Sequence, residues 1–210
     1  MGLDFIERGR GKGGPEQIEI LKSVFSAEYG LSDEESKTLL RYLRDLELPI
    51  DVLIGKRVLD IGCGPQPTLK SVVAKIGLRS TITNLDHSPK LGDAIDICVS
   101  ADNLPFPDES FDLVLARASV PIMQAIPGKY SLIPRTLKEM LRVLKRGGVI
   151  KIYPLYLRYA APGQRFWLDS YLGVLVEEEL ARIHKSDPGI KMRLVLVSFQ
   201  LDDYLLEIYK

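Results

Sequence analysis

Over the first fifty positions apolar residues recur at the spacing of a helical face, and beyond them they come in short consecutive runs. Ile18, Leu21, Val24 and Phe25 mark one side of a helix over Pro15 to Glu28. Ser32 and Glu35 form a capping-box pattern ahead of Leu39, Leu40, Leu43 and Leu46. That pattern predicts a second helix from about Asp33 to Leu46, stopped by Pro49. Runs at Lys56 to Ile61, Thr81 to Leu85, Ile95 to Val99, Phe111 to Leu115, Val149 to Tyr153, Leu194 to Phe199 and Tyr204 to Tyr209 read as strands. Between them, Pro67 to Ile76 reads as a helix. So does Leu132 to Leu144, with Leu137, Met140, Leu141 and Leu144 on one face and Gly147-Gly148 closing its end. Gly163 to Ser186 gives a further long helix.

Strands alternating with helices predict an α/β fold: a doubly wound, mostly parallel sheet of seven strands, covered on both faces. The last two strands are joined only by a short connection containing Asp202-Asp203, so they must pair antiparallel. At 210 residues the chain fits one domain, residues 51–210, preceded by a tail and helical extension over residues 1–50.

Charge and composition narrow the function. Lysine plus arginine equals aspartate plus glutamate at 28 each, so no global field draws the chain to nucleic acid or to an anionic membrane. The longest apolar runs, such as Leu194 to Val197, fall far short of the ~20 residues of a spanning helix. No apolar signal-peptide core follows Met1, and Ile6 stands where a myristoylation signal needs serine or threonine. The expected setting is cytoplasmic, with a small-molecule or protein partner. Arg8 to Gly14 reads as a solvated basic tail. Cys63 and Cys98 lack the spacing of a metal site or a disulfide framework, so no metal is expected and Cys63 packs as a small residue.

The candidate chemistry sits at three strand ends, where open parallel sheets bind ligands. The first is Val58-Leu59-Asp60-Ile61-Gly62-Cys63-Gly64-Pro65, an apolar run ending on a carboxylate and a glycine turn. Its glycines permit positive φ and bring bare backbone near a ligand, and the helix after it would point free N–H groups the same way. The second is Asn84-Leu85-Asp86-His87-Ser88-Pro89. Asp86 follows Gly62 by close to the ~20 residues expected of a ribose-binding acid. The third, Ser100 to Asp112, sets polar groups beside Leu104 and Phe106.

Together these segments resemble the class I S-adenosylmethionine-dependent methyltransferases, in particular those that methylate small molecules. VLDIGCGP resembles the first family motif, NLDHSP the second, ADNLPFPDESFDLVLA the third and fourth, and LKEMLRVLKRGGVIKIY the helix, turn and strand that follow. The likeness covers roughly residues 56–153. It implies S-adenosylmethionine as cofactor, with Asp60, Ile61, Gly62, Cys63 and Gly64 at its methionine end and Asp86 on the ribose. It implies His87 packed on the adenine face, and Ser100, the Ala101 backbone and Asp102 at the adenine amino group. Arg117 and Ala118 would face the transferable methyl group. No general base stands out, so no catalytic residue is assigned. The acceptor is expected to be a small molecule met by Arg117 to Ser131, with an apolar wall of Val120, Pro121, Ile122 and Met123, and by Tyr153, Tyr156 and Arg158.

Two departures from the family pattern carry expectations. The third glycine of the first motif is replaced by Gln66-Pro67, which stiffens the turn. Between Asp86 and Ile95 there is no room for the usual helix, so the ribose and adenine pocket is either open or covered by another element or a second subunit of a homodimer. The N-terminal helices read equally as a lid and as a packing element. A non-catalytic cofactor sensor or partner subunit and a protein methyltransferase stay open as alternatives, while a nicotinamide dehydrogenase is disfavoured.

Overall fold

A computed structural model describes residues 6–8, 15–121, 124, 129–155, 170–198 and 203–210. Eight strands form one sheet: β1 (Ile6–Arg8), β2 (Arg57–Ile61), β3 (Thr81–Asp86), β4 (Ile97–Cys98), β5 (Phe111–Arg117), β6 (Leu144–Leu155), β7 (Lys191–Ser198) and β8 (Asp203–Tyr209). Their order across the sheet is β1-β7-β8-β6-β5-β2-β3-β4. The strands from β4 to β6 pair parallel, and β8 pairs antiparallel with both β6 and β7. Strand order reverses between β2 and β5, which opens a crevice at their carboxyl ends. The doubly wound sheet with an antiparallel C-terminal pair is therefore as expected, and β1 is an addition. Arg8, expected in a solvated tail, instead ends an edge strand parallel to β7. A three-residue strand carries too little periodicity to register in a sequence pattern.

Alternation along the strands sorts the core into two layers. Val58, Leu113, Leu115, Tyr153 and Val195 face helices α2 (Asp33–Asp45) and α3 (Leu69–Lys75), meeting Leu39, Leu46, Leu69 and Val72. Leu59, Ile61, Val114, Ile150 and Ile152 face α4 (Leu132–Val143) and α5 (Ser170–Ser186), meeting Leu137, Met140, Leu180 and Ile183. Ser32 caps α2 as its sequence requires: its hydroxyl accepts the Glu35 amide, and the Glu35 carboxylate accepts the Ser32 amide at 2.7 Å. Helix α1 (Pro15–Tyr29) packs on α2, yet Leu21 and Val24, expected to be buried, are exposed together with Ile20. Only Phe25 of that stripe reaches the core cluster.

Helix α3 starts at Leu69, two residues later than Pro67. The Thr68 hydroxyl caps it by accepting the Ser71 amide, and Gln66 Oε1 takes the Thr68 amide at 3.2 Å. No α-helix links β3 to β4; a 3-10 turn over Pro89–Ala94 does so, as the short spacing requires. Of the long helix expected over Gly163 to Ser186, the part before Ser170 lies outside the described residues.

One buried charged cluster fastens α2 to the sheet. Lys151 Nζ on β6 donates to Glu207 Oε1 on β8 at 2.5 Å and to the carbonyls of Leu46 at 2.9 Å and Glu47 at 3.2 Å, which follow the last turn of α2. Arg193 and the Tyr209 hydroxyl donate to the other Glu207 oxygen. Burial opposes the Glu207 charge, and these donors, Lys151 first, win: its carboxyl is held below its ordinary range. Breaking a buried pair from one side strands the other charge. Lys151→Met is therefore expected to cost about 3–5 kcal/mol of stability by urea denaturation. The double variant Lys151→Met/Glu207→Leu should recover a large part of that loss.

Candidate cofactor site

At the switch point, three strand ends are stitched together by the groups that the sequence singles out. The glycine turn after β2 directs its amides at β3: Gly62 and Cys63 donate to the Leu85 carbonyl at 2.7 and 3.2 Å, and Gly64 donates to Asp86 Oδ2 at 3.4 Å. Asp86 Oδ1 accepts the Ser88 amide at 3.0 Å and lies 3.3 Å from His87 Nδ1. These amides thus face their own protein, where the sequence reading has bare backbone meeting a ligand.

The two glycines serve different ends. Both have positive φ, about 71° at Gly62 and 70° at Gly64. A Cβ at Gly62 would lie 2.3 Å from Ser119 Cβ, so the close approach there is to β5's own loop, pinned by Ser119 Oγ donating to the Ile61 carbonyl at 2.6 Å. A Cβ at Gly64 would meet nothing within 4 Å. Gly64 thus borders open space.

Asp60 is the central group. It is wholly buried, on the α2 side of the sheet, and Oδ2 accepts one hydrogen bond, from the Tyr42 hydroxyl at 2.7 Å. Oδ1 has no partner. Burial pushes its carboxyl up to about 7, against the opposing pull of the Tyr42 hydroxyl and of Arg117, and Asp86 adds to the rise. The Tyr42 phenol is itself pushed well up by burial and by Asp60, so it stays a donor. Cys63, against Asp60 and Asp86, is pushed up to about 12, chiefly by burial; it is a neutral packing residue and no nucleophile.

Arg117 does not stand alone at the end of β5. Its Nε and Nη2 donate to Asp45 Oδ2 at 3.0 and 2.8 Å, and its guanidinium lies 5.8 Å from the Tyr42 ring centroid. Sequence reasoning missed Tyr42 and Asp45. The available signal was two polar side chains one turn apart within the apolar stripe of α2, where burial demands partners.

Past the ends of β3 and β4, His87 is exposed, Ala101 is buried, and the Ser100 hydroxyl donates to Asp102 Oδ1. The loop beyond them is held from α4, a second feature the sequence did not disclose. Glu139 accepts the Leu104 amide at 2.8 Å, and Arg142 donates to the carbonyls of Leu104 and Phe106 and to Asp108. Of the acceptor-side candidates, Val120 and Pro121 are buried, and Tyr153 packs in the α2-side core. Ile122, Met123, Tyr156 and Arg158 lie outside the described residues.

The donor and acceptor set decides what fits. A phosphate needs free amides, and here those of Gly62, Cys63 and Gly64 are engaged, while Thr68 caps the helix that follows. Two carboxylates, one with an unpartnered buried oxygen, instead suit hydroxyls and a cation. S-adenosylmethionine carries both, an ammonium and ribose hydroxyls. A dinucleotide's pyrophosphate would find the amides of Gly62, Cys63 and Gly64 already engaged.

Comparison with known proteins agrees. Residues 59–152 match the family model described as a methyltransferase domain. Residues 59–152 thus carry the likeness to a methyltransferase domain, and the strand order and motifs are those of the class I S-adenosylmethionine-dependent methyltransferase fold. It is similar to a sterol 24-C-methyltransferase of Gibberella zeae, 26% identical over 80% of this chain and 46% of that protein. It is also similar to a demethylmenaquinone methyltransferase of Tropheryma whipplei, 32% identical over 67% of this chain and 57% of that one. The chain thus spans about half the length of these relatives. Among solved structures, an S-adenosylmethionine-dependent methyltransferase from Archaeoglobus fulgidus shares the fold, with a TM-score of 0.51 at 16% identity over 90% of this chain and 99% of that one. So does the 4+2 cyclase SpnF, with a TM-score of 0.50 at 20% identity over 90% and 75%.

The raised Asp60 carboxyl has a consequence for the stability of the fold. An acid whose folded value lies above its unfolded one stabilises the fold fully at low pH, and that contribution is lost as pH rises to the folded value. Stability is expected to fall between pH ~4 and about 7 through this residue, by roughly 3–4 kcal/mol at most. Denaturation of parent and Asp60→Asn across that range is the check: the variant should lose this part of the decline.

Proposed function

We propose that the protein transfers the methyl group of S-adenosylmethionine to a small-molecule acceptor. The observation that carries the reading is the buried, unpartnered Asp60 Oδ1 at the switch point, with Asp86 at the next strand end. The likeness to sterol and demethylmenaquinone methyltransferases supports a small, apolar acceptor class. Buried Val120 and Pro121 after β5 are consistent with an apolar wall.

The bound cofactor supplies an electrophilic methyl carbon, so the protein's part is alignment and exclusion of water. In this reading Asp60 holds the ammonium, Asp86 takes the ribose hydroxyls, and Ser100, Ala101 and Asp102 border the adenine. The Ser119 hydroxyl locks the acceptor-side loop to the glycine turn through the Ile61 carbonyl, fixing one wall of the site relative to the other. A second reading is favoured by the 3-10 turn that replaces a covering helix after Asp86. In it the chain binds the cofactor as a sensor or partner subunit without transferring the methyl group. A homodimer covering the adenine side belongs to either reading, as does a cytoplasmic setting. No helix among the described residues is long and apolar enough to cross a membrane.

Thermal-shift titration separates the cofactor classes, because a ligand of the native state raises stability by mass action. S-adenosylmethionine and S-adenosylhomocysteine are expected to raise Tm and NAD to leave it unchanged; the reverse pattern refutes the cofactor. Asp86→Ala should weaken S-adenosylhomocysteine binding at least ~10-fold by calorimetry, the scale of a lost charge-assisted hydrogen bond. Transfer of labelled methyl groups to a metabolite panel then distinguishes enzyme from sensor.

A further inference from the structure

Helix α2 places polar side chains where its neighbours are apolar. Tyr42 and Asp45 are buried on the face that also carries Leu39 and Leu46, and each reaches a different strand end. Tyr42 meets Asp60 at the end of β2, and Asp45 meets Arg117 at the end of β5, with Arg117 lying over the Tyr42 ring. A tyrosine needed only for packing would leave its hydroxyl toward water. Here, among the described residues, it is the one hydrogen-bond donor to a carboxylate with no exposure.

Holding Oδ2 has a specific result. A carboxylate with one oxygen fixed by a neutral donor keeps its charge and its plane, and it presents the other oxygen in one direction. We propose that Tyr42 is a positioning residue of the cofactor site, whose hydroxyl fixes Asp60 so that its unpartnered Oδ1 receives the α-ammonium of the cofactor's methionyl end. This rests on the cofactor reading above and adds α2 to the site. The groups facing Asp60 are Tyr42 from α2, Arg117 from β5, Asp86 from β3 and Cys63 from the glycine turn. Asp45 neutralises Arg117 from the α2 side, so Tyr42 is the only direct donor among them.

The effect is separable from general stability by comparing two probes. S-adenosylhomocysteine carries the ammonium, and 5′-methylthioadenosine keeps the nucleoside and lacks the amino acid. By calorimetry on the full chain, Tyr42→Phe is expected to weaken S-adenosylhomocysteine roughly tenfold or more and to leave methylthioadenosine unchanged. The pH profile should move as well. The Tyr42 hydroxyl lowers the Asp60 carboxyl, so without it the rise of S-adenosylhomocysteine affinity with pH, centred near 7 in the parent, shifts to higher pH.

A third comparison guards against instability of the single variant. Asp60→Asn removes the buried charge, and if Tyr42 acts through Asp60, Tyr42→Phe/Asp60→Asn binds S-adenosylhomocysteine as Asp60→Asn does. An equal loss of both probes in Tyr42→Phe overturns the proposal, as does an unshifted pH profile. A further tenfold loss in the double variant beyond Asp60→Asn overturns it too. A parent that binds neither probe overturns the cofactor reading itself, which is a different result.

Discussion

A carboxylate with no exposure to water, placed at the end of a central strand, is the constraint around which this site is built. Taking an ionised carboxylate out of water costs several kcal/mol unless partners replace the lost hydration. Asp60 has one hydrogen-bond partner, the Tyr42 hydroxyl, and one oxygen with none. The protein meets the deficit partly by raising the carboxyl to about 7, which keeps a proton within reach at neutral pH. It meets the rest by bringing Arg117 close, itself paired to Asp45. Both arrangements require α2 to lie where it does. A helix that precedes the sheet in sequence is in this way tied to the chemistry at the far end of β2.

The sign of the site follows from how the glycine turn is used. In a phosphate cradle the turn's amides stay free, and here they close on Leu85 and Asp86. The side chains at these strand ends are acidic: Asp86 accepts the Gly64 amide, and Asp60 is buried at the end of β2. Such a set favours a ligand with positive charge and hydroxyls over one with a pyrophosphate. The family likeness and the electrostatics therefore reach the same cofactor by independent routes, one from motif order and one from which donors are already engaged.

Much of the frame was legible because it rests on local signals. The Ser32 and Glu35 pattern gave the start of α2 correctly, and the apolar runs gave the seven main strands. The short spacing after Asp86 correctly announced a turn in place of a helix. What escaped depends on distant partners. The pairing of Tyr42 with Asp60 joins residues 18 positions apart, and Lys151 meets the carbonyl of Leu46 across 105. No periodicity encodes these. The α1 stripe misled for a related reason: its spacing shows that a face exists, and only Phe25 finds a partner in the core. Arg142 was equally silent, since a charged residue late in a helix reads as a solvated end when it in fact holds the Leu104 to Asp108 loop.

The two ends of the cofactor site differ in how firmly they are built. Helix α2 is held at its start by the capping box and by Lys75 reaching Glu35 at 2.7 Å, and just past its end by Lys151 on the Leu46 and Glu47 carbonyls. Tyr42, between these anchors, has little freedom, so the Asp60 end is organised before any ligand arrives. The region at the ends of β3 and β4 has a 3-10 turn and an exposed His87 on one side and, on the other, a loop held from α4 and by the Phe106 ring against Phe111. In the proposed reading, a fixed amino-acid end beside a less enclosed nucleoside end makes recognition rest on charge and hydrogen bonding at Asp60 and Asp86 more than on enclosure of the base. On that proposal, discrimination between ligands sharing a nucleoside is set at Asp60, where the anchors of α2 leave the protein least able to yield.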